Sequence, residues 1–467
     1  MSFAYLAAGL LMAGTGGEVA ATPSFEVQAC AEAQIREIAR CGVVRVPEDR
    51  GRPGGRQIAL NVVVLPATGP KRLPALFDLD GGPGLPATKN LSFYLSDGAS
   101  YRRERDIVLF DQRGTGRSNP LYCPDMASPD RQYEPLYPVE QVAACRDRLS
   151  QRAELQHYGT DAAAQDLDSI RRALGHERID IVALSYGTLL GLRYDQLFPG
   201  KVRAMALFGT VTPEARVPSG HAPAGQQALE NLIAACGADP SCASRFTSIR
   251  GDLDRALDRL EGIEDAPDRD LFMERLRSLM YAPGRARAIP LIAQAAAAGD
   301  LAPFFALTRR TEPALYADGV YLSIVCAEGM FGLDYEAAAA AARRTIFGDY
   351  RLRRQRTACE DWPIARPADD FYDPPRPTTA LLLISGEFDP VTPPDLADAV
   401  AQRAANARHI VLPGSGHIFD GKSAIDTCLD PLILAFLEHG DPQALALDCL
   451  DTVQPPPFLT SLPPAAD

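Results

Sequence analysis

The sequence is poor in the residues that build metal and nucleic-acid sites. Histidine occurs six times in 467 residues, and no Cys-x-x-Cys pair is present, which excludes the common zinc frameworks. Positive charge is also in deficit. Lys plus Arg number 47 against 60 Asp plus Glu, a net charge of −13 that repels phosphate backbones, so nucleic acid is not an expected partner. No internal repeat occurs. The apolar stretch at the start, Phe3 to Ala13, falls short of the ~20 residues that a bilayer-spanning helix requires.

What is present is enough apolar material for a large core: 46 % hydrophobic and 23 % charged residues are ordinary globular values. The length is about three times the usual ~150 residues per domain, so a second lobe or a large insertion is expected. Residues 1–21 read as a signal peptide. Met1 to Gly17 carries no charge, and Val19 and Ala21 suit a cleavage site, although the customary basic residue is missing. Ten cysteines among so few histidines suit disulfides in an oxidising compartment, secreted or periplasmic. Neighbour-to-neighbour pairing would join Cys30 to Cys41, Cys123 to Cys145, Cys236 to Cys242, Cys326 to Cys359 and Cys428 to Cys449, a connectivity that sequence alone leaves open.

Short β-rich runs alternate with helical stretches in two blocks. The first holds Gln57 to Leu65, Leu73 to Leu79, Asp106 to Phe110, Arg178 to Leu184 and Val202 to Phe208; the second holds Ala380 to Ser385 and His409 to Leu412. Continuous apolar runs such as DIVLF and ALLLIS suit strands covered on both faces, as in a mostly parallel sheet flanked by helices. Between the blocks the pattern turns helical, with Leu253, Leu257 and Leu260 on one face and a helix-forming run from Ala337 to Ala342. The expected organisation is therefore an α/β core over 22–212, a helical cap over 213–375, the rest of the core over 376–454 and a Pro-rich, poorly ordered tail over 455–467.

Ala183-Leu184-Ser185-Tyr186-Gly187 lies where a β run gives way to a helical stretch. A nucleophile elbow needs that context, and it needs small residues two before and two after the serine. Ser185 also needs a base. His157 and His176 lie near helical stretches, His221 belongs to the cap, His409 lies within a β run and His439 follows the last long helix. His417 alone occupies a Gly-rich loop directly after a strand, where α/β sheets place site residues. The chain order serine, acid, histidine points to Asp389, just after the ALLLIS run, with Glu387 as its rival; Asp395 and Asp398 read as capping and solvated residues. In Asp80-Gly81-Gly82-Pro83-Gly84 the glycines free the backbone to aim N–H groups at an oxyanion, and Gly82 with Tyr186 would form that hole.

Together, Gly81 to Gly84, Asp111-Gln112-Arg113-Gly114-Thr115-Gly116-Arg117-Ser118, Ser185 to Thr188, Gly386 to Pro393 and Gly414 to His417 resemble the proline iminopeptidase and tripeptidyl aminopeptidase branch of the α/β-hydrolases. The likeness spans about Cys41 to Cys449. It implies a serine aminopeptidase working through an acyl-enzyme on peptide substrates, without metal or organic cofactor, with the cap as a substrate-selecting lid, and the first residues and cysteines add export to that reading. It also implies that Asp111 and Arg113 form a buried structural pair and that an acidic cap residue grips the free α-amino group, for which Glu328 is the candidate. Asp80 and Ala183 depart from the family pattern, and Asp80 bears on substrate preference. The rival readings are a carboxylesterase on the same fold and, from another class, an inactive binding module.

Overall fold

A computed structural model describes residues 23–310, 316–419 and 421–462; the expected signal peptide lies outside the described residues. Nine strands form one sheet: β1 (Phe25–Gln28), β2 (Arg40–Pro47), β3 (Gln57–Leu65), β4 (Leu76–Leu79), β5 (Ile107–Phe110), β6 (Ile179–Leu184), β7 (Val202–Phe208), β8 (Ala380–Gly386) and β9 (Ala407–Leu412). Their spatial order is β1-β2-β3-β5-β4-β6-β7-β8-β9. The pairs from β1 to β5 are antiparallel and those from β5 through β9 are parallel.

The apolar runs explain why the parallel part is central. Every residue of β4 and β5 is buried, and successive side chains leave a strand on opposite faces. Phe77, Val108 and Leu383 thus join one core layer, while Leu76, Leu109 and Leu382 join the layer on the other face. Strands β1 and β2 had no counterpart in the sequence reading. They lie at the antiparallel edge, and Arg40, Gly42 and Arg45 break the apolar run in β2.

Between β7 and β8 the described chain contains helices and no strand, from His221–Ala238 to Tyr350–Cys359. Leu253, Leu257 and Leu260 are buried in a separate apolar cluster within this insert. A second part of the insert belongs to the sheet's own core, since Val320, Leu322 and Ile324 pack among residues of β4 and β6. The insert is therefore anchored on the sheet. Of the tail expected to be poorly ordered, residues 455–462 are described, and they are packed. Phe458 is buried against the insert's core beneath the Arg287 guanidinium, 4.3 Å from its ring centroid, and the Leu459 N–H donates to the Arg287 carbonyl. Proline does not oppose this, because an extended segment needs no internal hydrogen bonds.

All five neighbouring cysteine pairs are joined: Cys30–Cys41, Cys123–Cys145, Cys236–Cys242, Cys326–Cys359 and Cys428–Cys449. Cross-links of this kind typically contribute about 2–4 kcal/mol each by restricting the unfolded chain. Denatured but unreduced protein should therefore take up no thiol-alkylating reagent, and reduced protein should take up ten equivalents by mass. Alkylation before reduction would contradict the pairing.

Candidate active site

Ser185 caps β6 at φ +56° and ψ −125° and starts the helix Tyr186–Leu197. A non-glycine residue in this region costs on the order of 1–3 kcal/mol, so the surroundings must hold it there. They do so through hydrogen bonds and close packing. The Ser185 N–H donates to the Phe208 carbonyl at 2.8 Å, and the Ser185 carbonyl accepts from Thr188 N–H and Oγ1 at 2.8 and 2.6 Å. A Cβ on Gly187 would lie 2.1 Å from the Leu79 carbonyl oxygen, so only glycine lets the helix approach β4. Ala183, which departs from the family pattern, is buried.

The loops after β8 and β9 bring Asp389 and His417 together. His417 Nδ1 lies 2.7 Å from Asp389 Oδ2, which also accepts from Thr392 Oγ1 at 2.8 Å. Asp389 Oδ1 accepts the N–H groups of Val391 and Thr392, both at 2.9 Å. The carboxylate is fully buried and saturated with donors, which fixes its orientation. Gly209 faces His417 at a distance where a Cβ would meet Nδ1 at 3.1 Å. With Nδ1 occupied, Nε2 is left for the nucleophile. Ser185 and His417 line one cavity of about 290 Å³.

Glu387, the rival acid, is exposed, and its Oε2 accepts the Gly414 N–H at 2.8 Å, so it supports the histidine loop from outside. Asp398 is not merely solvated. It meets His409 Nδ1 at 2.7 Å, and His409 Nε2 meets Ser385 Oγ at 2.9 Å. This second Asp–His–Ser array shows why geometry alone is a weak criterion: Ser385 is fully buried in β8 and lines no described cavity.

Gly82 has φ +113° and lies in the loop that closes over Ser185; no backbone acceptor engages its N–H or that of Tyr186 among the described residues. Both residues line the cavity. Asp80 anchors the loop by accepting the Gly81 N–H at 2.6 Å while its other oxygen meets Lys89 Nζ at 3.1 Å. Asp111 and Arg113 are both buried, but they do not pair with each other as the resemblance implied. Asp111 holds Asn61, Thr88 and the Arg117 N–H, whereas Arg113 pairs in bidentate fashion with Asp166 at 2.7 Å. The turn at Gly114 and Gly116 separates the two side chains: a Cβ on Gly116 would strike Asp111 Oδ2 at 2.1 Å, so the carboxylate lies over that turn.

Glu328 is in a π-helical turn, Val325–Met330, held by the Cys326–Cys359 bridge. It is buried on the wall of the Ser185 cavity, not solvated. Its oxygens accept from Thr160 N–H at 2.7 Å and Thr160 Oγ1 at 2.6 Å, and since that hydroxyl has one proton to give, the Tyr186 hydroxyl donates to Thr160 Oγ1 at 2.9 Å. Burial pushes the Glu328 carboxyl up to about 7 despite these donors. Sequence reasoning missed Thr392, Tyr281 and His221. The Tyr281 ring packs edge-on to His417 at 5.1 Å, and His221 is buried in the cavity wall with neither ring nitrogen hydrogen-bonded to a described residue. Burial pushes His221 well below its usual pKa, so it is neutral. Thr392 lies within the Gly386 to Pro393 motif without having been given a role, and His221 was set aside as a cap residue; Tyr281 alone lies outside every motif.

A family model described as alpha/beta hydrolase fold matches residues 82–419. The chain is similar to Serine protease Hip1 of Mycobacterium tuberculosis (35 % identity, 44 % of this chain and 42 % of that protein). It is likewise similar to Tripeptidyl aminopeptidase of Streptomyces lividans (35 %, 37 % of this chain and 36 % of that protein). In both cases the match spans less than half of the relative's length. Carboxylesterase B of Mycobacterium tuberculosis is similar along nearly the whole length (29 %, 93 % of this chain and 92 % of that protein).

With Asp389 as candidate acid, Asp389→Asn should lower kcat on the order of 10⁴-fold with little change in thermal stability. Glu387→Gln should change it only severalfold. Steady-state kinetics of the two variants decide, and the reverse order would reassign the acid.

Proposed function

The chain belongs to the α/β-hydrolase fold family, and on that premise we propose that it is an exported serine aminopeptidase that cleaves peptide amides near a free N-terminus. One observation carries the reading: the cavity that holds Ser185 and His417 is also walled by the buried carboxylate of Glu328. Ser185 Oγ attacks the scissile carbonyl while His417 Nε2 takes its proton, and Asp389 holds the tautomer and stabilises the imidazolium. The N–H groups of Gly82 and Tyr186 receive the charge that develops on the carbonyl oxygen. His417 then protonates the departing amine, and water releases the acyl group from Ser185. Glu328 pairs with the substrate ammonium, an interaction strengthened where water is excluded.

Two relatives named for peptidase activity support the reading, although they match the chain over less than half of its length. Five disulfides and the apolar first residues support export. Among the described residues no helix is long and apolar enough to cross a membrane. A second reading, carboxylesterase, draws on the relative of that name that matches nearly end to end. The pairing of His417 with Asp389, on a cavity that Ser185 also lines, supports an enzyme over an inactive binding module.

Free-amine peptides should be hydrolysed far faster than their N-acetylated forms, and Glu328→Gln should narrow the gap mainly by harming the free ones. Equal cleavage of both by the wild type would point to an endopeptidase or an esterase. The pH dependence has a definite sign. As pH falls through about 7, Glu328 takes up a proton and loses its charge, so KM for free-amine substrates should rise. Above roughly pH 8 the substrate α-amine, with an ordinary pKa of about 7.7–8.0, loses its own proton and KM should rise again. Acetylated substrates should show neither arm in KM–pH profiles, and Glu328→Gln should lack the acidic one.

A further inference from the structure

Beside the Ser185 cavity lies a second one of about 580 Å³. The two share Leu85, Tyr281, Tyr316 and Arg351, so those side chains form the partition between them. The second cavity is cationic. Among the described residues its wall has four arginines, Arg131, Arg275, Arg310 and Arg351, against two carboxylates, Glu134 and Asp318.

The pairing of these charges is uneven. Arg131 is matched by Glu134 at 3.2 Å, and Arg351 by Glu274 at 2.7 Å. Arg275 reaches only the Gln132 carbonyl, and neither Arg275 nor Arg310 has a carboxylate partner among the described residues. The Nε atoms of Arg275, Arg310 and Arg351 are all buried without an acceptor there. Burial and the nearby Arg310 charge both push Arg275 below its usual pKa. Asp318 offers little compensation, because burial pushes its carboxyl up to about 7 and its Oδ2 is itself unpaired. Unpaired buried donors of one sign are costly, and an incoming carboxylate relieves that cost with charge-assisted hydrogen bonds.

The position of the cavity says which part of a substrate could supply the carboxylate. His417 must hand its proton to the departing amine, so the leaving part of the peptide runs on the His417 side of Ser185. Tyr281 packs against His417 and lines both cavities, which puts the cationic cavity on that side. Glu328 is absent from its wall and is tied to Thr160, whose hydroxyl meets Tyr186 on the nucleophile helix.

We propose that the cavity walled by Arg275, Arg310 and Arg351 is a leaving-side subsite for a carboxylate, which makes acidic or short free-acid peptides the favoured substrates. The carboxylate is either the C-terminus of a short peptide or an acidic side chain beyond the scissile bond. The assignment rests on the aminopeptidase reading above. It gives the enzyme two opposite electrostatic grips, an acid for the ammonium at one end and a basic chamber for a carboxylate beyond the cut.

The test compares kcat/KM for peptides that share one acyl part and differ in the leaving part. One series pairs a free C-terminal acid with its amide at several lengths; the other pairs Glu with Gln in C-terminally amidated peptides. In the wild type at least one series should favour the carboxylate about tenfold, a preference that shrinks with added salt. The series that shows it identifies the source. In Arg275→Gln and Arg310→Gln, checked for folding by circular dichroism, the ratio should fall toward one. Brisk peptide hydrolysis with ratios near one in both wild-type series overturns the subsite alone, whether or not either variant folds. A ratio that persists in both folded variants overturns it too. Failure to hydrolyse any free-amine peptide or reporter anilide overturns the aminopeptidase reading, and the subsite with it.

Discussion

The approach of the helix Tyr186–Leu197 to β4 is the constraint on which the site depends. Gly187 lies so close to the Leu79 carbonyl that a single methyl group would separate them, and Gly81 also crowds Ser185, where a Cβ would stand 2.8 Å from the serine Cβ. These two contacts press the serine between the ends of β4 and β6 and hold it at positive φ. The loop after β4, the candidate oxyanion loop, can then pass over Ser185, because it leaves β4 at Asp80 and its conformation is fixed by Asp80, Lys89 and Asn90. Asp389 and His417 enter from the ends of β8 and β9, parallel to β6 and two and three places from it in the sheet, and Gly82 from the end of the adjacent β4.

The insert between β7 and β8 adds what the sheet cannot, a chemically asymmetric wall. Anchoring of Val320 to Ile324 in the sheet's core fixes the segment that continues into the π-helical turn bearing Glu328. The Cys326–Cys359 bridge ties that turn to the helix Tyr350–Cys359, which also carries Arg351. One covalent link therefore joins the element with the buried acid to the element that begins the basic chamber. Burial raises the proton affinity of Glu328, while Glu274 beside Arg351 and Arg277 is held down to about 2. The same low-dielectric insert thus keeps one carboxyl near neutrality and another permanently charged, according to whether a guanidinium is at hand.

Much of this was legible because local rules govern it. The elbow around Ser185 and the Asp389 turn follow apolar runs that read as covered strands, the Gly-rich loop of His417 follows the shorter, half-buried run of β9, and cysteines close in sequence formed the bridges. What was not legible depended on distant partners. Strand β2 is interrupted by Arg40, Gly42 and Arg45, and it is a strand because β3 pairs with it along its whole length. Arg113 sits two residues from Asp111, yet its partner is Asp166, far along the chain, because the turn at Gly114 and Gly116 parts the neighbours. The tail looked disordered by composition, but the insert presents Arg287 and an apolar surface for Phe458. Tyr281, His221 and the arginines of the second cavity carry no motif, since what selects them is the shape of a space formed by several helices.

The central claim is that Ser185 forms the acyl-enzyme. Incubating native protein with a serine-directed fluorophosphonate, then mapping the adduct by peptide mass spectrometry, tests it most directly. The account predicts one adduct per chain, on Ser185, formed more slowly in the presence of a free-amine peptide and lost in His417→Ala. A stable adduct on another serine, or full labelling of Ser185 without His417, would contradict it.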